Sequence, residues 1–402
     1  MIVTIHPGTA RGTVAAPPSK SCGHRMLLCS ALASGESVIR GISGSQDMAA
    51  TMDCIRAMGG QCRLEGDRAC VTGTGGFAAE KAVYPCRESG STLRFCIPPA
   101  LVPGGWVKFT GTRRLMERGI GVYEELLPGK GIKIEKMPDA VTLSGGLTPG
   151  EYTLRGDVSS QFVSGLLLAL PLLQCDSTLR ILPPVESRPY IAITRDVMSF
   201  FGVRTEQKAE NLFVIPGGQR YESRTASVEG DWSNAAFLLA LGDGVSVTGL
   251  RPDSLQGDRV CRDMLRRLET PGAELDLSAC PDLGPVLFAA AARGGGAAFT
   301  GTRRLRIKES DRVAAMACEL SKFGVRLQAE ENRVVIFPGG ISAPQEMLDG
   351  HNDHRIVMAL SVLCASVGGT IRGAEAVNKS YPDFFQTLQN LGIQVDIQPE
   401  KA

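Results

Sequence analysis

Hydrophobic positions along the chain follow two helical patterns that alternate. In the first, apolar residues recur at helical spacing and a glycine then opens a short alternating stretch. It occurs in MDCIRAMGGQCRL, VYEELLPGKGIKI, TRDVMSFFGVRT, CRDMLRRLETPGAEL, AAMACELSKFGVRL and FFQTLQNLGIQV. This predicts an amphipathic helix, a stop at the glycine and a strand. The second pattern is apolar nearly all round and opens with small polar residues, as in SKSCGHRMLLCSALA, SGSTLRFCIPPAL, SSQFVSGLLLALPLL, WSNAAFLLALG, DLGPVLFAAAAR and NDHRIVMALSVLCA. These segments begin near Ser21, Gly90, Ser160, Trp232, Asp282 and Asp353. All-round hydrophobicity without membrane length predicts a helix buried inside a domain.

The patterns repeat. The marker glycines Gly60, Gly131, Gly202, Gly272, Gly324 and Gly392 are separated by 71, 71, 70, 52 and 68 residues. Six units of strand, buried helix, strand, exposed helix and hairpin are predicted, three in each of two domains. The short interval after Gly272 predicts a unit that has lost a hairpin strand. The heptapeptide FTGTRRL stands at both Phe109–Leu115 and Phe299–Leu305, as expected of a duplicated half. Turn signals PGG at Pro216–Gly218 and Pro338–Gly340 are expected to close hairpins. The domain crossings fall near residues 17–19 and 229–231, giving one domain of residues 19–229. The other is discontinuous, residues 1–18 with 230–402.

A buried helix directs unpaired N–H groups and partial positive charge from its N-terminus, which suits phosphate or carboxylate. The residues there agree: Lys20, Ser21 and Arg25 in PPSKSCGHR, Gly90 and Arg94 in ESGSTLR, Ser159, Ser160 and Gln161 in SSQF, and His354 and Arg355 in NDHR. Capping alone accounts for the serines and aspartates. It does not account for the accompanying cations, which are unfavourable near a helix N-terminus unless an anion offsets them. The densest cluster, RRLRIKESDR at Arg303–Arg312, reads as a strand running into a helix capped by Ser310 or Asp311. Val313, Met316, Ala317 and Leu320 form its apolar face. Glu309 among so many cations suits a proton carrier.

Bulk composition adds exclusions. At 402 residues two domains are the default, and a formal charge of +1 gives no reason to expect nucleic acid or an anionic membrane. The twelve cysteines form no CxxC pair, so neither zinc nor a disulfide framework is expected. Reduced thiols, no signal peptide and no membrane span together predict a cytoplasmic protein.

PPSKSxxHR, SGSTLR, SSQF, RIKESDR, NDHR and NKSYPDF, in this order, resemble the 3-phosphoshikimate 1-carboxyvinyltransferase (EPSP synthase) family over essentially the whole chain. The resemblance implies an α/β fold, the two-domain inside-out α/β barrel of six βαβαββ-type units around buried parallel helices. It implies transfer of the carboxyvinyl group of phosphoenolpyruvate to the 5-hydroxyl of shikimate 3-phosphate, in a monomer without metal or cofactor. Lys20, Asp282 and Glu309 are then catalytic, Asp282 as base and Glu309 as acid. Lys20, Ser21, Arg25, Ser159, Ser160, Gln161, Ser187, Tyr190, Asp282 and Lys308 are implied to hold shikimate 3-phosphate. Lys20, Gly90, Arg118, Gln161, Arg312, Arg355 and Lys379 are implied to hold phosphoenolpyruvate.

The chain departs from the family pattern at Glu88, Thr92 and Phe95, where many members carry Asn, Ala and Pro. Arg304 stands where some carry a substrate-contacting Asn. The sister enzyme acting on UDP-N-acetylglucosamine uses a reactive cysteine on a Gly-rich loop. The corresponding stretch, Val102–Gly121, has none, and Cys96 lies in an apolar helix. A non-catalytic phosphate-ligand binding protein on the same scaffold explains the cations but not Asp282 and Glu309.

Overall fold

The computed structural model describes residues 1–76 and 81–399. The chain divides into two compact units, one of Pro18–Glu229 and one of Met1–Pro17 with Gly230–Ala402. Each has its own hydrophobic core.

In the Pro18–Glu229 unit the helices are α1 (Lys20–Leu32), α2 (Gln46–Ala57), α3 (Gly90–Ala100), α4 (Arg113–Arg118), α5 (Gly121–Leu126), α6 (Ser160–Ala169) and α7 (Arg188–Phe200). The all-round apolar segments α1, α3 and α6 are the buried ones. Side-chain size sets how closely they approach. A Cβ on Gly165 of α6 would lie 2.3 Å from the Arg94 carbonyl of α3, so only glycine fits there. Among the described residues, three sheets complete the unit. In one, Lys81–Pro85 runs parallel to Trp106–Thr110, which pairs antiparallel with Ala140–Ser144 and so with Lys133–Met137. Glu151–Arg155, Ser177–Leu182, Leu212–Ile215 and Glu206–Ala209 repeat that order.

The other unit contains α8 (Trp232–Leu239), α9 (Cys261–Arg267), α10 (Gly284–Arg293), α11 (Arg312–Lys322), α12 (His354–Val367) and α13 (Phe384–Asn390). Here α8, α10 and α12 are the buried helices. The first strand, Ile2–Ile5, pairs antiparallel with both Gly369–Arg372 and Val395–Gln398, so the N-terminus completes the last repeat. The two FTGTRRL copies take equivalent places. Phe109 and Phe299 lie on central strands, opposite Val141 and Val334.

The short repeat is also explained. Among the described residues, strand Val245–Thr248 pairs with Gly12–Ala15 in a two-stranded sheet, without the hairpin that four of the five larger sheets contain. A cavity of about 620 Å³ opens beside it, lined by Val245, Val247, Leu265 and Arg293 among others.

Four local expectations need correction. Both PGG segments follow the second strand of their hairpins. The turns themselves are residues 210–211 and 330–332, because strand pairing carries Leu212–Ile215 and Arg333–Ile336 up to the prolines. Arg303–Ile307 is a 3-10 helix, since no neighbouring strand pairs with it. The first marker glycine with left-handed backbone is Gly59, at φ 94°, rather than Gly60. Ala317 is only half-buried, and Ala315 takes its place on the packed face of α11. Among the described residues no helix is long and apolar enough to cross a membrane.

Candidate functional site

In the Pro18–Glu229 unit the chemistry-bearing side chains gather at the starts of α1, α3 and α6. Ser19 caps α1, accepting from the Cys22 N–H, which leaves Lys20 in the first turn. The Lys20 ammonium lies 2.9 Å from an Asp47 carboxylate oxygen. Asp47 sits in the first turn of α2, where the helix dipole favours an anion.

Arg25 lies one turn further into α1 and is buried. Its guanidinium donates to Thr194 Oγ1 at 2.6 Å, the Ser21 carbonyl at 2.7 Å, the Tyr190 carbonyl at 3.1 Å and Ser164 Oγ at 3.2 Å. It also rests over the Phe95 ring, 4.8 Å from the centroid. These oxygens are neutral, and burial pulls the guanidinium down to about 10. A buried cation held by dipoles alone is the environment that a bound anion improves most. His24 beside it donates to or accepts from Thr51 Oγ1 at 2.7 Å; burial, then Lys20 and Arg25, hold its imidazole well below the usual range.

The departures Thr92 and Phe95 acquire reasons here. Thr92 links Thr51 to Ser89 by hydroxyl contacts of 2.8 Å each, extending the chain from His24. Phe95 supplies the platform under Arg25.

At the start of α3, a Cβ on Gly90 would lie 3.1 Å from the Arg118 guanidinium and 3.2 Å from that of Arg94. Glycine therefore lets both cations reach the helix end. Arg94 donates to Gln161 Oε1 at 2.7 Å and to the Gly119 carbonyl at 3.0 Å. Gln161 Nε2 donates to Ser91 at 2.9 Å. Both ends of the Gln161 amide are thus engaged within the protein. Ser159 caps α6 by accepting from the Gln161 N–H, and Ser160 follows it. Ser187 adopts left-handed backbone at φ 54° immediately before α7, whose first turn carries Tyr190.

In the other unit the centre is Arg312, 1% exposed at the start of α11. Its three nitrogens reach Asp353 at 2.8 Å, Asp282 at 2.8 Å and Glu309 at 2.7 Å. Burial alone would lower its guanidinium; the carboxylates of Asp353, Glu309 and Asp282 outweigh burial and raise it. Asp282 also lies 3.3 Å from Lys308 and 3.3 Å from Arg355. Asp353 caps α12 by accepting from the Arg355 N–H at 3.0 Å and takes the Ser310 hydroxyl at 3.0 Å. Lys379 donates to the Asn352 carbonyl at 2.6 Å. Burial pulls the Lys308 ammonium down to about 8, with Asp282 opposing.

Asp282, Lys308, Glu309, Arg312 and Arg355 therefore share one charge network. One inference from sequence needs revising. The cations at helix starts were expected to need an outside anion, yet Lys20, Arg312 and Arg355 each have a carboxylate of the protein; Arg25 keeps neutral partners. Asp47 and Asp353 were missed as partners. Asp47 stands 27 residues from Lys20 and Asp353 stands 41 from Arg312, so nothing local marks either pair, although NDHR does show Asp353 as the cap of α12.

Cys96 is buried, and a hydrogen bond with Cys54 and then burial raise its thiol well above the usual range. Such a thiol is a packing group and a poor nucleophile.

The sequence profile of EPSP synthase (3-phosphoshikimate 1-carboxyvinyltransferase) matches residues 6–388. A 3-phosphoshikimate 1-carboxyvinyltransferase of Clostridium kluyveri is 38% identical over 98% of each chain. One from Clostridium botulinum is 37% identical over 96% of each. The first alignment runs to 423 positions, more than this chain's 402, so that relative carries segments absent here. Among solved structures, EPSP synthase from Acinetobacter baumannii superposes with a TM-score of 0.79 at 23% identity, covering 98% of this chain and 100% of that one. The enolpyruvyl transferase NikO from Streptomyces tendae gives 0.77 at 16% identity, over 98% of both chains. These likenesses bear on the fold. With the profile and the relatives spanning nearly every residue, including both charge clusters, the chain belongs to the EPSP synthase (3-phosphoshikimate 1-carboxyvinyltransferase) family.

Proposed function

We propose that the protein transfers the carboxyvinyl group of phosphoenolpyruvate to the 5-hydroxyl of shikimate 3-phosphate and releases phosphate. The observation that carries this reading is the Arg312 network. It holds two carboxylates, Asp282 and Glu309, on one guanidinium with Lys308 and Arg355 beside them. A binding protein needs the cations, but an addition–elimination needs two proton carriers as well.

In the addition, Asp282 takes the proton of the 5-hydroxyl as its oxygen bonds to C2 of phosphoenolpyruvate. Glu309 delivers a proton to C3, making it a methyl group. In the elimination Glu309 takes a proton back from that methyl, the C2–O bond to phosphate breaks as the proton held by Asp282 passes to the departing phosphate, and the double bond re-forms. Positive character at C2 is stabilised by nearby carboxylate. The two ligands bring roughly five to six negative charges. Lys20, Gly90, Arg118, Gln161, Arg312, Arg355 and Lys379 are assigned to phosphoenolpyruvate. Lys20, Ser21, Arg25, Ser159, Ser160, Gln161, Ser187, Tyr190, Asp282 and Lys308 are assigned to shikimate 3-phosphate. Gln161 and Arg312 would exchange protein partners for ligand in doing so. The same reading places the enzyme in the cytoplasm, supported by twelve cysteines without a disulfide.

Phosphate release should require both substrates together. UDP-N-acetylglucosamine in place of shikimate 3-phosphate should give none; release with it alone would transfer the assignment to the sister reaction.

Lys308 sets a pH expectation. Its charge is present below about 8 and lost above, so turnover should fall through that pH as the ammonium deprotonates. Lys308→Arg, which stays charged, should move the alkaline limb upward. An unmoved limb in an active variant would remove Lys308 from the profile.

A further inference from the structure

The loop of residues 350–353 enters α12 through an uncommon backbone. His351 and Asn352, neither of them glycine, both adopt left-handed conformations at φ 48° and 50°. Two such residues in succession persist only where the surroundings over-determine them. A Cβ on Gly350 would come within 2.6 Å of Val357 and 2.9 Å of the Gly373 carbonyl, so the loop is pressed onto α12.

What holds it is α11. Glu319 lies two turns beyond Arg312 on the same helix and is buried. One carboxylate oxygen meets His351 Nε2 at 3.0 Å, and the other accepts the Asp349 N–H at 3.0 Å. The His351 N–H donates to Asp349 Oδ1 at 2.7 Å. Helix α11 thus grips the segment at both ends, Glu319 at His351 and Arg312 at Asp353. Between the grips lies the Asn352 carbonyl that receives the Lys379 ammonium.

We propose that His351 is a positioning residue: its bond to Glu319 fixes the strained loop that presents Asn352 to Lys379 and Asp353 to Arg312 and the start of α12. The proposal rests on the carboxyvinyl-transfer reading for the roles of Lys379, Arg312 and Arg355. His351 touches no reacting atom.

The grip depends on pH. The charged groups acting on the imidazole are Glu319 and Lys322 of α11 and Asp349 before it, with Arg372 of the neighbouring strand engaged on Asp349. Lys322 shares Glu319 at 2.8 and 3.0 Å, and Arg372 engages Asp349 at 2.8 and 3.0 Å. The Glu319 bond raises the His351 imidazole above its usual value, with burial opposing. The sign follows: the charge-assisted bond is present at lower pH and is lost as pH rises through the raised value.

Proton NMR of the histidine ring signals in the intact protein tests the bond directly. Glu319→Gln should lower the His351 titration midpoint, and an unchanged midpoint would overturn the proposal. Kinetics test the positioning role. His351→Ala should raise KM for phosphoenolpyruvate about three- to tenfold, leave KM for shikimate 3-phosphate near wild type and alter the pH profile of kcat/KM. His351→Gln, which can still donate to Glu319, should recover most of the KM but not the pH dependence. A His351→Ala enzyme with wild-type KM and pH profile would also overturn the proposal. Wild-type protein that fails to turn over the substrate pair would sink the functional reading instead, and the NMR result would still decide the His351–Glu319 bond.

Discussion

Lys20→Met is expected to lower turnover by about 10³-fold or more while the thermal melt stays within a few degrees of wild type. The side chains are similar in length, so packing at the start of α1 is kept and the charge alone is lost. The partner left behind is tolerable. Asp47 lies in the first turn of α2, where the helix N-terminus favours an anion, and its side chain remains 14% exposed. The loss of activity should be large because the resemblance assigns Lys20 to both ligands, so one ammonium serves recognition and transition-state charge alike. Steady-state phosphate release and differential scanning calorimetry on the same preparation check the two halves of this expectation. Retained turnover would remove Lys20 from the mechanism, and a collapsed melt would make its role structural.

Arg312→Met should act in the opposite manner, costing stability as well as activity. Removing this cation leaves Asp353, fully buried, and the partly buried Asp282 and Glu309 without their common partner. Breaking a buried ion network from one side costs about 3–5 kcal/mol. In a unit of this size that lowers the melting temperature by roughly 10 °C. The acid side provides a second reading. Burial raises the Asp353 carboxyl and Arg312 more than reverses it, holding the group below the usual carboxylate range. A depressed carboxylate contributes stability that is present above its unfolded value and lost as pH falls through the folded one, here from about pH 4 towards 2. Wild type should therefore lose stability across that window, and the variant should show a flatter dependence. Arg312→Lys keeps a charge but cannot fork to three carboxylates, so it should fall between. An Arg312→Met protein that melts with wild type would refute the shared-charge account.

The stability and activity arguments meet at the same side chain, and this bears on ligand binding. Arg312 is already satisfied by protein carboxylates, so a phosphoenolpyruvate carboxylate or phosphate gains only the difference between two strong partners. Arg25 is the contrary case, a buried cation on neutral oxygens for which an anion is a net addition. Shikimate 3-phosphate, assigned to Arg25, should thus gain more from its arginine contact than phosphoenolpyruvate does from Arg312.

The helices were legible from residue order because their information is local. Burial on every side or on one face is written in which positions are apolar, so α1, α3, α6, α8, α10 and α12 begin within two residues of their expected starts. The shortened repeat was legible for the same reason, as a missing length. The 3-10 form of Arg303–Ile307 was not, because alternating residues make a strand only where a neighbour offers hydrogen bonds, and that neighbour is a fact of topology.

For the charged residues the division is sharper. Their types and their clustering at helix starts could be read in order along the chain, and they pointed to anion chemistry. Which carboxylate each cation holds could not, since Lys20 meets Asp47 and Arg312 meets Asp282 and Asp353 only after distant segments have packed. Coulomb energy depends on distance in space and on burial, and neither is a property of neighbours in a chain. Folding alone therefore decided that Arg312 is the hub of three acids, that Arg25 is left with dipoles, and that His351, the residue before NDHR, is held by Glu319, 32 positions away in the chain.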